Sequence, residues 1–213
     1  MAQQTSLAAF GLEDRSYSID EWLAVERRTG EKFEYHEGRL VPVRMMSGGT
    51  AAHAHLGANV VGSLYAALLD RADAAPCNVY TSDLQVMIND RARYVYPDAA
   101  VICGRPEFDA RVATAVRNPV VVAEVLSPSS VGYDTGEKFA YYASLATLRE
   151  YVLVEQSAPW VEVRSREGAG GPWTITFATA LGSHARLPSL GIELAMTRLY
   201  RGVEFPSPTG GGE

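Results

Sequence analysis

Two periodicities divide the chain. Leu56, Val60, Leu64 and Leu68, with Val61 beside them, recur at helical spacing and predict a helix over residues 51–70. A second, shorter helix is announced by Ser18-Ile-Asp-Glu21. This capping-box pattern stands ahead of Trp22, Leu23 and Val25, and the helix should stop at Gly30. Between them, residues 33–35 and 40–46 read as a hairpin around Glu37-Gly38, with residues 47–50 as a flexible link. Leu84, Val86 and Ile88 alternate with Gln85 and Met87, the mark of a half-buried strand closed by an Asn89-Asp90 turn. Residues 98–103 and 120–126 are nearly continuous apolar runs, as expected of strands buried on both faces. Ser127-Pro-Ser-Ser130 breaks the second run, and Asp134-Thr-Gly-Glu137 has the form of a helix cap before Phe139, Tyr142 and Leu145. Tyr151–Val154 is another short strand, reached by a right-handed crossover to a parallel neighbour. Residues 160–164 and 173–177 alternate around Gly168-Ala-Gly-Gly171 as a terminal hairpin.

The predicted order is helix, three strands, helix, strand, with β-rich additions at both ends: an α+β fold on a mixed sheet. One domain is expected over residues 17–205, with a flexible stretch at 1–16 and a disordered tail at 206–213, where small, flexible residues and prolines dominate. The 213 residues suffice for one sizeable core. A hydrophobic fraction of 47% with 21% charged residues is ordinary for a soluble protein, and no apolar run nears the ~20 residues of a membrane helix. No basic segment followed by an apolar one marks a signal peptide, so a cytoplasmic location is expected. Cys77 and Cys103 read as buried thiols in a reducing compartment. The net charge of −6 argues against a broadly basic surface that coats nucleic acid, though not against a local cleft. Arg91–Arg93 and Arg105–Arg117 are the best candidate DNA-facing segments, and only modestly basic.

Against this background two carboxylates stand out. Asp98, in Tyr-Pro-Asp, opens one apolar strand, and Glu124 lies inside Val120–Leu126. A charge in such surroundings is costly unless paired, hydrogen-bonded or bound to a metal. If the strands pair antiparallel through the loop near Arg111, facing residue numbers sum to about 222 and Asp98 lies beside Glu124. Two adjacent acids on rigid strands form a candidate divalent-metal site. Leu126 shares the face of Glu124, so a lysine there would stand beside the metal; the nearest downstream lysine is instead Lys138, in the following helix. Plainer readings exist. Asp98 alone is a turn residue, and Asp134 with Lys138 forms an i,i+4 surface pair. His53 and His55 lack a third zinc ligand, and the Ser127–Ser130 serines lack a nucleophile elbow, leaving turn chemistry.

The ordered set Tyr96-Pro-Asp98, Val122-Ala-Glu-Val-Leu-Ser-Pro-Ser129, Tyr133-Asp-Thr-Gly-Glu-Lys138 and Leu148-Arg-Glu-Tyr-Val-Leu-Val154 resembles the PD-(D/E)XK nuclease superfamily. Within it, the chain is most similar to the bacterial family of putative restriction endonucleases. Phe33-Glu-Tyr-His-Glu-Gly38 and His53 continue the resemblance upstream, so that it runs from Tyr17 to Val203. The departure is Leu126, where the superfamily has lysine; Lys138 fits a lysine moved to the helix. The resemblance implies a restriction-endonuclease-like αβββαβ core and hydrolysis of DNA phosphodiester bonds. Asp98, Glu124 and the Val125 carbonyl would hold Mg²⁺ or Mn²⁺, and Lys138 would orient the attacking water or stabilise developing charge. It gives Glu34, His53 and Asp134 supporting places: Glu34 as a ligand through water, His53 at the site's edge or on the phosphate. A homodimer is expected, because two sites conveniently cut two strands. Two alternatives stand beside this: a nuclease-fold binding module that no longer cuts, and a metal hydrolase for small phosphodiesters.

Overall fold

A computed structural model describes residues 7–43, 50–71, 76–88 and 92–205. Helix α1 (Ile19–Thr29) starts at the expected capping box: Ser18 accepts from the Glu21 N–H and the Glu21 carboxylate accepts from the Ser18 N–H. It ends at Gly30, whose φ of 69° is the left-handed conformation that glycine supplies without strain. Strands β1 (Phe33–His36) and β2 (Arg39–Pro42) form the predicted hairpin. Its turn, Glu37-Gly38, has positive φ at both residues, as the right-handed twist of a two-residue hairpin demands, and a Cβ on Gly38 would collide with the Ser16 side chain. The predicted end of this hairpin near Met46, the 47–49 link, the Asn89-Asp90 turn, Arg91 and the 206–213 tail lie outside the described residues.

Helix α2 (Ala51–Leu69) occupies the predicted span and is capped by Thr50. It packs on one face of a six-stranded sheet of order β11-β10-β9-β8-β6-β3. The members are β3 (Cys77–Thr81), β6 (Ala99–Cys103), β8 (Val121–Leu126), β9 (Glu150–Glu155), β10 (Val161–Ser165) and β11 (Thr174–Ala178). β8 runs antiparallel to β6 and parallel to β9, so the sheet is mixed. Ala99 faces Ala123, Ala100 faces Val122 and Val101 faces Val121, the anticipated register.

One expected core strand goes elsewhere. β4 (Gln85–Ile88) and β5 (Arg93–Val95) belong to a five-stranded sheet of order β2-β1-β5-β4-β7, with β7 at Ala115–Val116. All four β4 residues are buried, because the strand lies between two layers rather than at a half-exposed surface. Val86 and Ile88 pack against Val122, Leu126 and Leu153 of the central sheet, while Met87 joins Trp22, Phe33 and Tyr94 under α1. Its place in the central sheet is taken by β3, an edge strand with too little apolar pattern to read from sequence. The hairpin β10–β11 is likewise an extension of the central sheet, not an appendage.

Three further corrections concern the ends and the cysteines. Residues 7–10 form a 3-10 turn, and Leu7, Phe10 and Leu12 pack with Trp22 and Tyr35, so the stretch expected to be flexible to residue 16 is anchored at these three side chains while residues 13–16 are exposed. The hairpin β12 (His184–Leu187) and β13 (Ile192–Ala195) and the short helix α4 (Met196–Leu199) close the core over α2. Cys77 and Cys103 face each other across β3 and β6 and are joined by a disulfide, where free thiols were expected. Among the described residues no helix is long and apolar enough to cross a membrane.

Candidate metal centre and its lysine

Strand geometry brings the two carboxylates together. Along β8, Val121, Ala123 and Val125 face α2, while Val122, Glu124 and Leu126 face the opposite layer, which contains helix α3 (Lys138–Ala143). Asp98 sits just before β6, and its Oδ2 accepts the Val125 N–H at 2.7 Å. His53 reaches in from the first turn of α2. Its Nε2 lies 3.0 Å from the Val125 carbonyl oxygen and 3.4 Å from Asp98 Oδ2.

The chain after β8 is folded by its serines. Ser127 Oγ accepts the Ser130 N–H and Ser130 Oγ accepts the Ser127 N–H, a reciprocal cap that starts the helix several residues before the predicted one. Asp134 is therefore no cap. It lies within a π-helical turn, Tyr133–Glu137, in which the Lys138 N–H donates to the Tyr133 carbonyl five residues back. Such turns admit one extra residue and are frequent at functional sites. Both Asp134 and Lys138 are buried, which overturns the surface-pair reading. Lys138 Nζ is 2.9 Å from Glu124 Oε1, 3.5 Å from Glu34 Oε1, 3.6 Å from Asp134 Oδ1 and 3.4 Å from the Tyr96 carbonyl oxygen.

Glu34 is fully buried on β1, the strand that ties the five-stranded sheet to this centre. Its carboxylate accepts from Tyr133 Oη at 2.9 Å and the Tyr96 N–H at 3.3 Å, and lies 3.0 Å from His36 Nε2. Burial pushes its pKa up, but Lys138, His36 and Tyr133 outweigh that and hold it below the ordinary value. Burial pushes Glu124 well above its ordinary value against the pull of Lys138, with Asp134 and Asp98 adding to the rise. Burial also raises Asp134, opposed by Lys138 and Ser130. Lys138 loses hydration, yet Glu124, Glu34 and Asp134 more than restore its charge and keep it protonated. Burial lowers the His53 pKa, and the hydrogen bond and charge of Asp98 reverse this to a net rise.

Asp98, Glu124, the Val125 carbonyl and Lys138 thus converge, with His53 and Asp134 at the margin. Glu34 touches Lys138 rather than the carboxylate pair. His36 and Tyr133, which orient Glu34, were not assigned roles from sequence. The signal for His36 was its two-residue spacing from Glu34, which puts both on one face of β1. The Arg105–Arg117 segment leaves β6 at the end opposite Asp98 and does not approach the centre.

Does this donor set suit a hard divalent cation? Four carboxylates face one ammonium and two imidazoles, an excess of acids over bases. Glu124 Oε1, though close to Lys138, has no partner of hydrogen-bond geometry. A cavity of about 20 Å³ lies among Asp98, Glu124, Val125 and Lys138, enough for one water-sized occupant. Among the described residues no three His, Cys, Asp or Glu side chains form a ready-made cage. Two carboxylates and a carbonyl with a spare lone pair, completed by water, are nonetheless what Mg²⁺ ordinarily accepts. The residues fit such an ion.

Comparison with known proteins agrees with this architecture. Residues 19–197 match the Uma2 family, described as "Putative restriction endonuclease". The chain belongs to this family. That is also the family its motifs resemble. The chain is 33% identical over 156 residues to an uncharacterized Synechocystis protein, sll1609, covering 73% of this chain and 84% of that one. A second Synechocystis protein, slr1290, also uncharacterized, is 32% identical over 188 residues, covering 88% and 93%. Among solved structures, a putative nuclease of the DUF820 group from Anabaena variabilis superposes with a TM-score of 0.64 at 15% identity, covering 86% of this chain and 97% of that one. At that identity the likeness concerns the fold.

Proposed function

We propose that the protein is a divalent-metal-dependent endonuclease that hydrolyses DNA phosphodiester bonds. The observation that carries this reading is the meeting of Asp98, Glu124 and Lys138 around an ion-sized cavity at one end of the β6–β8 pair. Asp98, Glu124 and the Val125 carbonyl would hold Mg²⁺ or Mn²⁺. Bound there, the ion supplies polarisation of a phosphoryl oxygen and a lowered pKa for a coordinated water.

The chain's own residues do the rest. Lys138 is kept charged by three carboxylates, so it serves as a fixed cation and hydrogen-bond donor, not as a base. Its ammonium faces the cavity, where it can orient the attacking water and stabilise charge that develops on phosphorus oxygens. Glu34 and Asp134 hold Lys138 in place. His53 holds the Val125 carbonyl and Asp98 together from the α2 side. A homodimer, with one such site for each strand of a duplex, is part of the same reading.

Supercoiled plasmid incubated with Mg²⁺ or Mn²⁺, beside the Asp98→Asn variant, tests it. Metal-dependent nicking that disappears in the variant is expected. Absence of nicking under either metal, in a protein that still binds Mn²⁺, would favour the non-cutting binding module, for which the acidic net charge speaks. Turnover of a chromogenic diester without plasmid cleavage would favour the small-substrate hydrolase.

A further inference from the structure

A second opening adjoins the candidate centre. It is a groove of about 560 Å³ between the β1–β2 hairpin and the helical segment after β8, and Ser130 lines both it and the ion-sized cavity. Arg39 and Arg93 supply its cationic side chains and Tyr133 and Tyr141 its aromatic ones. We propose that this groove holds one nucleic-acid strand by the phosphates flanking the bond to be cut, with Arg39 and Arg93 as the phosphate-binding side chains.

The inference rests on the nuclease reading for its orientation, but its evidence is separate. Arg93 is fixed in the groove wall: its guanidinium carbon lies 3.6 Å over the Tyr141 ring, and Nη2 donates to Glu37 at 3.0 Å. Its Nε is buried and lacks a partner. His36 Nε2 faces Glu34, a pure acceptor, which places the ring's proton on Nε2 and leaves the buried Nδ1 as an acceptor. Buried donors without partners are rare, and Arg93 Nε is one that the protein leaves incomplete beside the groove. The two acids of the groove are already engaged, Glu37 by Arg93 and Glu137 by the Tyr141 hydroxyl. Arg39 is exposed, and no ion pair joins its side chain among the described residues.

A chain of net charge −6 binds phosphates where a cation is left without a counter-charge, and in this groove, where two arginines stand beside two glutamates and Arg93 pairs with Glu37, Arg39 is that cation. A phosphate seated at the ion-sized cavity has neighbours along its strand, and the shared Ser130 wall leads one of them into the groove. Guanidinium and tyrosine together are the equipment of single-strand binding.

Anisotropy of a fluorescein-labelled 20-nucleotide oligothymidylate, titrated with the full-length protein in EDTA over a range of NaCl, tests this. Arg39→Glu is the primary variant because its exposed side chain can change without disturbing the core; Arg93→Ala follows, with circular dichroism as the check on folding. Each variant should weaken binding at least tenfold at low salt. The slope of log K against log salt should fall by about 0.7 for each phosphate that a variant leaves unneutralised. Wild-type affinity and slope in Arg39→Glu and folded Arg93→Ala, or no binding by the wild-type protein, would overturn the groove. Plasmid nicking separates the two readings: nicking with indifferent variants sinks only the groove, and Arg39-dependent binding without nicking sinks only the nuclease.

Discussion

Removing the charge of Lys138 should expose how the centre is held together. In Lys138→Met the chain keeps a long apolar stem but loses the one ammonium facing Glu124, Glu34 and Asp134 at 2.9, 3.5 and 3.6 Å. The side chains are almost fully buried, so solvent screens little of the loss. Breaking a buried ion pair by removing one partner costs about 3–5 kcal/mol. For a chain of this size that is a fall in melting temperature of about 6–20 °C. The loss should depend on pH in a defined sense. In the wild-type protein Glu34 lies below its ordinary value of 4.5, so the stability it contributes is present above that pH and fades as pH falls. Without Lys138, burial of Glu34 is opposed only by its neutral partners and His36. Its folded value then rises above 4.5, and the variant is increasingly penalised as pH rises from there. The gap between the proteins should therefore widen from pH 4.5 to pH 7.5, in urea titrations with EDTA present. A gap that is absent at pH 7.5, or the same at both values, would refute the reasoning. The double variant Lys138→Met/Glu124→Gln should recover part of the loss.

Asp98→Asn and Glu124→Gln should each abolish nicking and weaken Mn²⁺ binding by calorimetry; two variants that cut like the wild type would misplace the site. Glu34→Gln should slow cleavage while leaving Mn²⁺ affinity near its wild-type value, because Glu34 touches Lys138 and not the carboxylate pair. Ser18→Ala should cost about 1 kcal/mol by removing the side-chain half of the α1 capping box, read as a lower urea midpoint with unchanged slope. Cys77→Ser/Cys103→Ser should cost about 2–4 kcal/mol in oxidising buffer and nothing relative to wild type in reductant, since the bridge closes 26 residues of chain.

Much of the centre was legible because its strands are short-range and strongly apolar. The β6–β8 register follows from a single connecting loop and two hydrophobic runs, and it alone sets Asp98 beside Glu124. Helices α1 and α2 declare themselves by caps and apolar spacing. What sequence could not give depends on long-range packing. β3 carries little apolar signal, so its pairing with β6, and with it the meeting of Cys77 and Cys103, is invisible to local pattern. β4 reads as alternating, yet both its faces are covered once α1 and the central sheet close over it. The π-helical turn has no propensity signature; only its result, Lys138 and Asp134 on one buried face, shows why the extra residue is there.

The position of the lysine follows from the same packing. Leu126 shares the face of Glu124, but it packs with Tyr142, Leu145, Leu148 and Leu153 in the apolar layer between the central sheet and α3. A charge there would have to be desolvated among these side chains, at a cost of several kcal/mol unless it reached a carboxylate. The helix approaches the cavity from the other side, where Glu34 on β1 and Asp134 on the π-helical turn supply two further counter-charges. An ammonium delivered from the helix therefore meets three carboxylates and the Tyr96 carbonyl, and the strand position is released to the core. On this arrangement β1 is part of the centre: without Glu34 and its partners His36 and Tyr133, the ammonium of Lys138 would retain two of its three counter-charges, and the five-stranded sheet would lose its polar tie to the layer that carries the candidate centre.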